Sequence, residues 1–330
     1  MSTINWLFEI NFAIFSVFLA LFISELMAGV LLLIAYDATK AKVLPYIVPI
    51  WEVTGTFAAF WVVTGDFAYP SMLIPVATLL AGEILVFLIL IVVRNASISF
   101  AELILKGGRI SEKRLYQLYG LATVGIGVVV LIVLSAIVSG AGVSLANLTF
   151  SVWGWVTTAG SLPYLLGVLL IAVGLAPVFY NIEVLRRITV PFTVAGVAVE
   201  AGALYLYSSG FIGTGFLIPA LLTILVPVLY QFKITAPLVY SKLIFALVGA
   251  IIVFSLSYLV YPTAFNGALS VDAVTTKGPM VGAFYVLTAV GVVVVGLLNV
   301  LFILVVWRAQ RAHPPGSGTV PPVASAAHNP

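Results

Sequence analysis

The sequence predicts an all-α polytopic membrane protein of about nine transmembrane helices, with room for two four-helix bundles and one peripheral helix. Three observations carry that prediction. Sixty-three percent of the 330 residues are hydrophobic and 8% are charged, more apolar side chain than one soluble core can enclose. The apolar residues fall in runs of about 20, long enough for a helix to cross the hydrocarbon layer, where backbone groups have to be satisfied within the segment. The basic residues gather between those runs, almost all on one side.

Taken in order, the predicted spans cover residues 5–36, 46–66, 71–93, 116–140, 162–182, 189–208, 211–232, 240–262 and 280–307. Lys40 and Lys42 follow the first span. Arg94, Lys106, Arg109, Lys113 and Arg114 follow the third, and Arg186 and Arg187 the fifth. Lys233 and Lys242 flank the joint between the seventh and eighth, and Arg308 and Arg311 follow the ninth. Thirteen of the fourteen basic residues thus share a side, with Lys277 on the other. Because Lys and Arg accumulate in short cytoplasmic loops, the N-terminus is expected outside and the C-terminus inside. The opening MSTINWLFEI lacks the basic stretch of a secretion signal, so the first span is expected to stay.

Residues 1–312 form the expected membrane domain. The tail 313–330, HPPGSGTVPPVASAAHNP, is rich in proline, glycine and small residues and is expected to be disordered. The loop 95–114 reads either as a short amphipathic helix at the inner surface or as a solvated connector. Prolines 49, 75, 177, 191, 219 and 227 fall in or near spans, where they can kink a helix. Trp51, Trp61, Trp153 and Trp155 read as interfacial anchors, and the small residues in LATVGIGVVV as close-packing positions.

Composition also removes whole classes of chemistry. There is no cysteine, so disulfides, thiolate metal sites, iron–sulfur clusters and cysteine nucleophiles are excluded. The two histidines, His313 and His328, both lie in the tail. Haem in a helical bundle usually hangs on histidine, and Met27, Met72 and Met280 have no membrane histidine to complete an axial pair. No haem or redox metal is therefore expected on this chain alone. No phosphate loop, nucleophile elbow or nucleic-acid signature is present.

The carboxylates point elsewhere, because an ionised side chain in the bilayer costs roughly 2.5–3.5 kcal/mol even on lenient scales. Glu25 and Glu52 fall toward the cytoplasmic half, Glu83 and Glu200 near the middle of their spans, and Glu9 and Asp66 near the outer boundary. No Lys or Arg is expected at comparable depth. Each buried acid then has to be protonated, hydrated or paired with another subunit. Two readings follow: a proton route beginning near Glu25 and Glu52, or hydrogen bonding that packs helices and subunits together.

The stretch VPIWEVTGTFAAFWVVTGDFAYP, residues 48–70, resembles the second helix of subunit II of the cytochrome bd-type quinol oxidases. That family shows a Pro-x-Trp-Asp/Glu start and then a run rich in Gly, Phe and Ala that closes on proline. Pro49, Trp51, Glu52, Gly65, Phe67, Ala68 and Pro70 are the matching positions, with Arg94 matching an arginine after the third helix. The stretch YPTAFNGALSVDAVTTKGPMVGAF, residues 261–284, resembles the family's outer loop through Asn266, Leu269, Ser270, Asp272 and Thr275. The family's Gly-Asn pair after Trp-Asp is Val53-Thr54 here, its next tryptophan is Phe57, and its acid five residues beyond Arg94 is Ser99. In helix one its Asp-rich pattern becomes SELMAG, with Glu25 the nearest carboxylate.

The resemblance implies a haem-free subunit docked to a subunit I of homologous fold. That partner would carry two haems b, haem d and the quinol site, and reduce dioxygen to water. Glu52 and Glu25 would match cytoplasmic proton-uptake carboxylates. Some members hold a structural quinone, and small accessory subunits are compatible with the pattern. Two other readings remain open at this point: a haem-free quinol-interacting anchor of another respiratory complex, such as the polysulfide reductase type, and a secondary transporter coupling protons to solute.

Overall fold

The structure is a computed structural model and describes residues 5–104, 111–234 and 242–312. Helix α1, Trp6–Ile34, begins at Asn5, whose side chain accepts the Phe8 amide at 3.1 Å. Helix α2, Tyr36–Ala68, starts ten residues before the predicted span and bends by 46° between Tyr36–Val48 and Ile50–Ala68. Pro49 stands at the break, where it withdraws one helical N–H. The predicted span 71–93 is two helices, α3 (Leu73–Leu79) and α4 (Ala81–Ser99), and a π-helical turn over Phe100–Ile104 continues α4. That turn replaces the amphipathic helix considered for the start of the loop, whose residues 105–110 lie outside the described residues.

Helix α5, Glu112–Ser139, is capped by Ser111 and ends at Gly140, whose φ of 73° only glycine adopts freely. The remaining helices are α6 (Val152–Thr157), α7 (Ser161–Phe179), α8 (Arg186–Tyr207), α9 (Thr214–Gln231), α10 (Lys242–Ser255), α11 (Val271–Val274) and α12 (Pro279–Ala312). Two antiparallel two-residue pairs close loops between helices: β1 Val143–Ser144 with β2 Thr149–Phe150, and β3 Thr263–Ala264 with β4 Leu269–Ser270.

The chain is an all-α polytopic membrane protein. Among the described residues, six helices are long and apolar enough to cross a membrane, or seven if bent α2 counts as one span. The apolar segments Gly215–Gln231 and Ile244–Leu259 are shorter. The count of nine is therefore not confirmed: apolar helices occupy the seventh and eighth predicted places, shorter among the described residues, with 235–241 between them outside those residues. The tail 313–330 lies outside the described residues.

The chain divides into two compact units, Met1–Tyr285 and Val286–Pro330. In the second, the described chain is helical to Ala312. In the first, α1 packs against α2, α5, α7 and α10, while α4 lies on α5 and α7 on α8. Helix α1 is the core: Leu26, Met27, Ala28, Leu31 and Leu32 are buried. Helix α4 instead exposes Leu85, Leu88, Ile89 and Val92 within this chain, as a lipid-facing or partner-facing helix would.

The polar ends of the first unit sort into two groups. At one, Tyr36 meets Glu112, Lys113 meets Asp37, and Lys42 donates to the Asn181 carbonyl. At the other, Asn5 donates to Asp272 and Thr275, and the Thr276 amide donates to the Ala68 carbonyl. Of the basic residues named from the sequence, Lys42 and Lys113 stand in the first group, while Lys277 follows Thr276 of the second in the chain.

Candidate functional site

The site begins with a close approach. A Cβ on Gly120 would stand 2.8 Å from the Gly29 carbonyl oxygen, so α5 can lie against α1 only because both positions lack a side chain. One turn before Gly29, Glu25 is then brought beside Tyr119, whose hydroxyl donates to Glu25 Oε2 at 3.0 Å. Arg94, from the last turns of α4, reaches the same oxygen through Nη2. Both side chains of the pair are screened from solvent, at 0% exposed for Glu25 and 8% for Arg94. The Arg94 guanidinium also lies 5.6 Å from the Tyr119 ring centroid.

This corrects the expectation that no basic residue shares the depth of the acids. Placed after the third span by sequence, Arg94 belongs to α4, which runs on to Ser99, and its side chain is buried beside Glu25. The pairing is incomplete: Glu25 Oε1 and Arg94 Nε are buried without a hydrogen-bond partner. Around it, Tyr180 donates to the Ser24 carbonyl at 2.9 Å, and the Ser24 hydroxyl meets the Tyr46 hydroxyl at 3.3 Å. A polar seam therefore runs through α1, α2, α4, α5 and the end of α7.

The other predicted acids lie apart. Among the described residues no hydrogen bond or ion pair links any two of Glu25, Glu52, Glu83 and Glu200. Glu52 is exposed on α2, and Glu83 is half-buried in the first turn of α4. Glu200, on α8, is 8% exposed, and its Oε2 has no hydrogen-bond partner. It borders a cavity of about 360 Å³ between α1, α5, α7, α8, α9 and α10. Apart from Glu200, Ser24, Tyr164 and Thr223, its walls are carbon and sulfur, Met27 among them. The cavity is not legible in the sequence, because it depends on how six separate segments pack.

The motif positions have structural work to do. Trp51 packs at the edge of the core that holds Met27 and Tyr180. Pro70 is exposed in the turn after α2. Asp272 accepts from Asn5 at 2.7 Å and from Tyr261 at 3.3 Å, and Ser270 caps α11. The Asn266 amide donates to the Val138 carbonyl, docking the β3–β4 hairpin on the end of α5. Two of the tryptophans have partners within the chain. Trp155 is buried and donates to Ser135 at 2.6 Å, and Trp61 donates to Asn11 at 3.2 Å while its ring packs on Phe15.

No family model and no curated protein matches this chain. Its fold is similar to that of a solved structure, the bd oxidase from Geobacillus thermodenitrificans, with a TM-score of 0.60 and 16% identity. The similarity covers 91% of this chain and 97% of that one. At this identity the likeness establishes a bd-oxidase-like fold.

Proposed function

We propose that this chain is the haem-free subunit II of a bd-type terminal quinol oxidase, docked in the cell membrane against a haem-bearing subunit I. What carries the reading is a fold of that kind combined with a sequence whose only histidines, His313 and His328, fall in the tail. A haem-bearing chain needs axial donors inside the bundle. The cavity offers Met27 and Glu200 from different helices and no histidine, a donor set that does not suit a haem b axial pair. The two haems b and haem d, the quinol site and dioxygen reduction are assigned to the partner.

The cavity does suit a quinone tail, with hydrocarbon walls and the Glu200 carboxyl group at its border for a polar head. Within the proton route, Glu52 is the uptake candidate, since its exposure on this chain leaves it open to water or to a neighbouring subunit. Glu25 takes a different part: tied to Arg94 and Tyr119, it fixes three helices, and a proton passing through it would have to break the pair. The basic end of the first unit is assigned to the cytoplasm, the side on which the sequence also predicts the C-terminus.

The experiment is native purification followed by a reduced-minus-oxidised spectrum and mass spectrometry. Bands of haems b and d together with a second, histidine-bearing membrane subunit are expected. Haem retained by this chain alone, an iron–sulfur partner, or solute uptake by the chain alone would each overturn the assignment.

A further inference from the structure

The C-terminal turn of α7 collects cations that this chain does not neutralise. Lys42, from α2, donates through Nζ to the Asn181 carbonyl. Lys242, from the start of α10, holds its Nζ 4.3 Å from the Phe179 ring centroid and 5.0 Å from that of Tyr180. Both ammonium groups thus reach the last residues of α7 and the turn after it. Arg186 joins them through Tyr230, which donates to Asn181 Oδ1 at 3.1 Å and carries the guanidinium 5.2 Å from its ring centroid. Arg186 Nε is buried with no hydrogen-bond partner.

The helix end does not account for this gathering. Its last carbonyls are already used: Ala176 accepts the Tyr180 amide, Val178 the Asn181 amide and Pro177 the Ile182 amide, with Asn181 at a φ of 52°. The helix dipole supplies only about half a negative charge, and Glu183, paired with Arg186 at 3.3 Å, supplies one more. Three cations exceed that sum. All eleven carboxylates of the chain lie among the described residues, and none bonds to Lys42 or Lys242. The nearest by element are engaged elsewhere: Asp37 with Lys113, Glu112 with Tyr36 and Glu25 with Arg94. Residues 235–241, TAPLVYS, contain no acid.

We propose that Lys42 and Lys242, with Arg186 beside them, hold the phosphate of an anionic phospholipid headgroup at the end of α7. The place favours a lipid over a soluble anion. Helices α7 and α9 end there and α8 and α10 begin there, so the cations stand at the boundary of the hydrocarbon layer, where headgroup phosphates lie. Val184, Phe232 and Ile234, at the same helix ends, are 76%, 69% and 65% exposed and offer apolar surface for acyl chains. The proposal needs only the membrane-spanning fold, so it stands or falls separately from the oxidase assignment.

The test places the native complex in nanodiscs of phosphatidylcholine, with or without phosphatidylglycerol, and follows retained lipid by native mass spectrometry and unfolding by a thermal melt. Phosphatidylglycerol should be retained and should raise the melting temperature. Each neutralised lysine should weaken its binding about five-fold, so Lys42→Gln with Lys242→Gln should lose about 25-fold, and the paired Lys→Arg variant should restore it. If the double Gln variant fails to assemble, single Lys42→Gln and Lys42→Arg carry the same comparison. Undiminished retention in the Gln variants would overturn the proposal. So would an equal stabilisation by inorganic phosphate in pure phosphatidylcholine, or carbodiimide cross-linking of either lysine to a carboxylate of a co-purifying subunit.

Discussion

The Arg94 guanidinium meets the Glu25 carboxylate where neither side chain reaches solvent, and the Tyr119 hydroxyl donates to the same carboxylate oxygen. Helices α1, α4 and α5 are thereby pinned at one point. Taking two charges out of water is costly, and their attraction offsets that cost only while both are present. Glu25→Gln leaves the guanidinium buried and unmatched, so it should destabilise the chain by about 3–5 kcal/mol. Glu25→Gln with Arg94→Gln should recover much of that loss. Thermal melts of the four proteins, arranged as a double-mutant cycle, check this; additive losses would dissolve the pair as a structural unit.

Glu52 provides the contrast. It is exposed and has no side-chain partner among the described residues, so Glu52→Gln should leave assembly and melting temperature essentially unchanged. If Glu52 takes up protons in the oxidase, oxygen consumption should fall while haem content holds. Wild-type turnover in this variant would end its part in proton uptake.

Close packing of α1 on α5 yields a third expectation. At Gly120 an added methyl would sit 2.8 Å from backbone oxygen, which cannot move as a flexible side chain can. Gly120→Ala should therefore cost about 1–3 kcal/mol and move Tyr119 away from Glu25. Gly82, where an added methyl would meet nothing within 4 Å, is the control: Gly82→Ala should be neutral or slightly stabilising. Equal melting temperatures for the two variants would contradict the account of this contact.

How far the sequence carries the fold depends on which forces are local. Hydrophobic run length places α1, α5, α7 and α8 closely, because a helix in lipid has to satisfy its own backbone. The start of α2 lies ten residues ahead of the predicted one, since Asp37, Lys40 and Lys42 read as a loop although the helix continues through them. For the site, the acids stand out in the sequence as improbable residues, while their partners do not. Arg94 is visible as part of a motif, yet its meeting with Glu25 depends on the α1–α5 and α4–α5 packing, in which Gly29 and Gly120 are the visible clue. Trp155 reads as an anchor because its reach to Ser135 is a tertiary fact.

Glu200 gives the last expectation. Its side chain borders the cavity, and its Oε2 is buried on the Gly167 side without a hydrogen-bond partner, a condition that costs about 1–3 kcal/mol unless something else supplies the contact. Glu200→Met keeps most of the volume and removes the orphaned atom. In the chain freed of bound lipid and quinone, the substitution should raise the melting temperature. In the native complex, where a polar head would satisfy the carboxyl group, the gain should disappear and any quinone extracted with the protein should decrease. Loss of stability in both preparations would mean that the Glu200 carboxyl group is satisfied within this chain, and the cavity would then have no use for its acid.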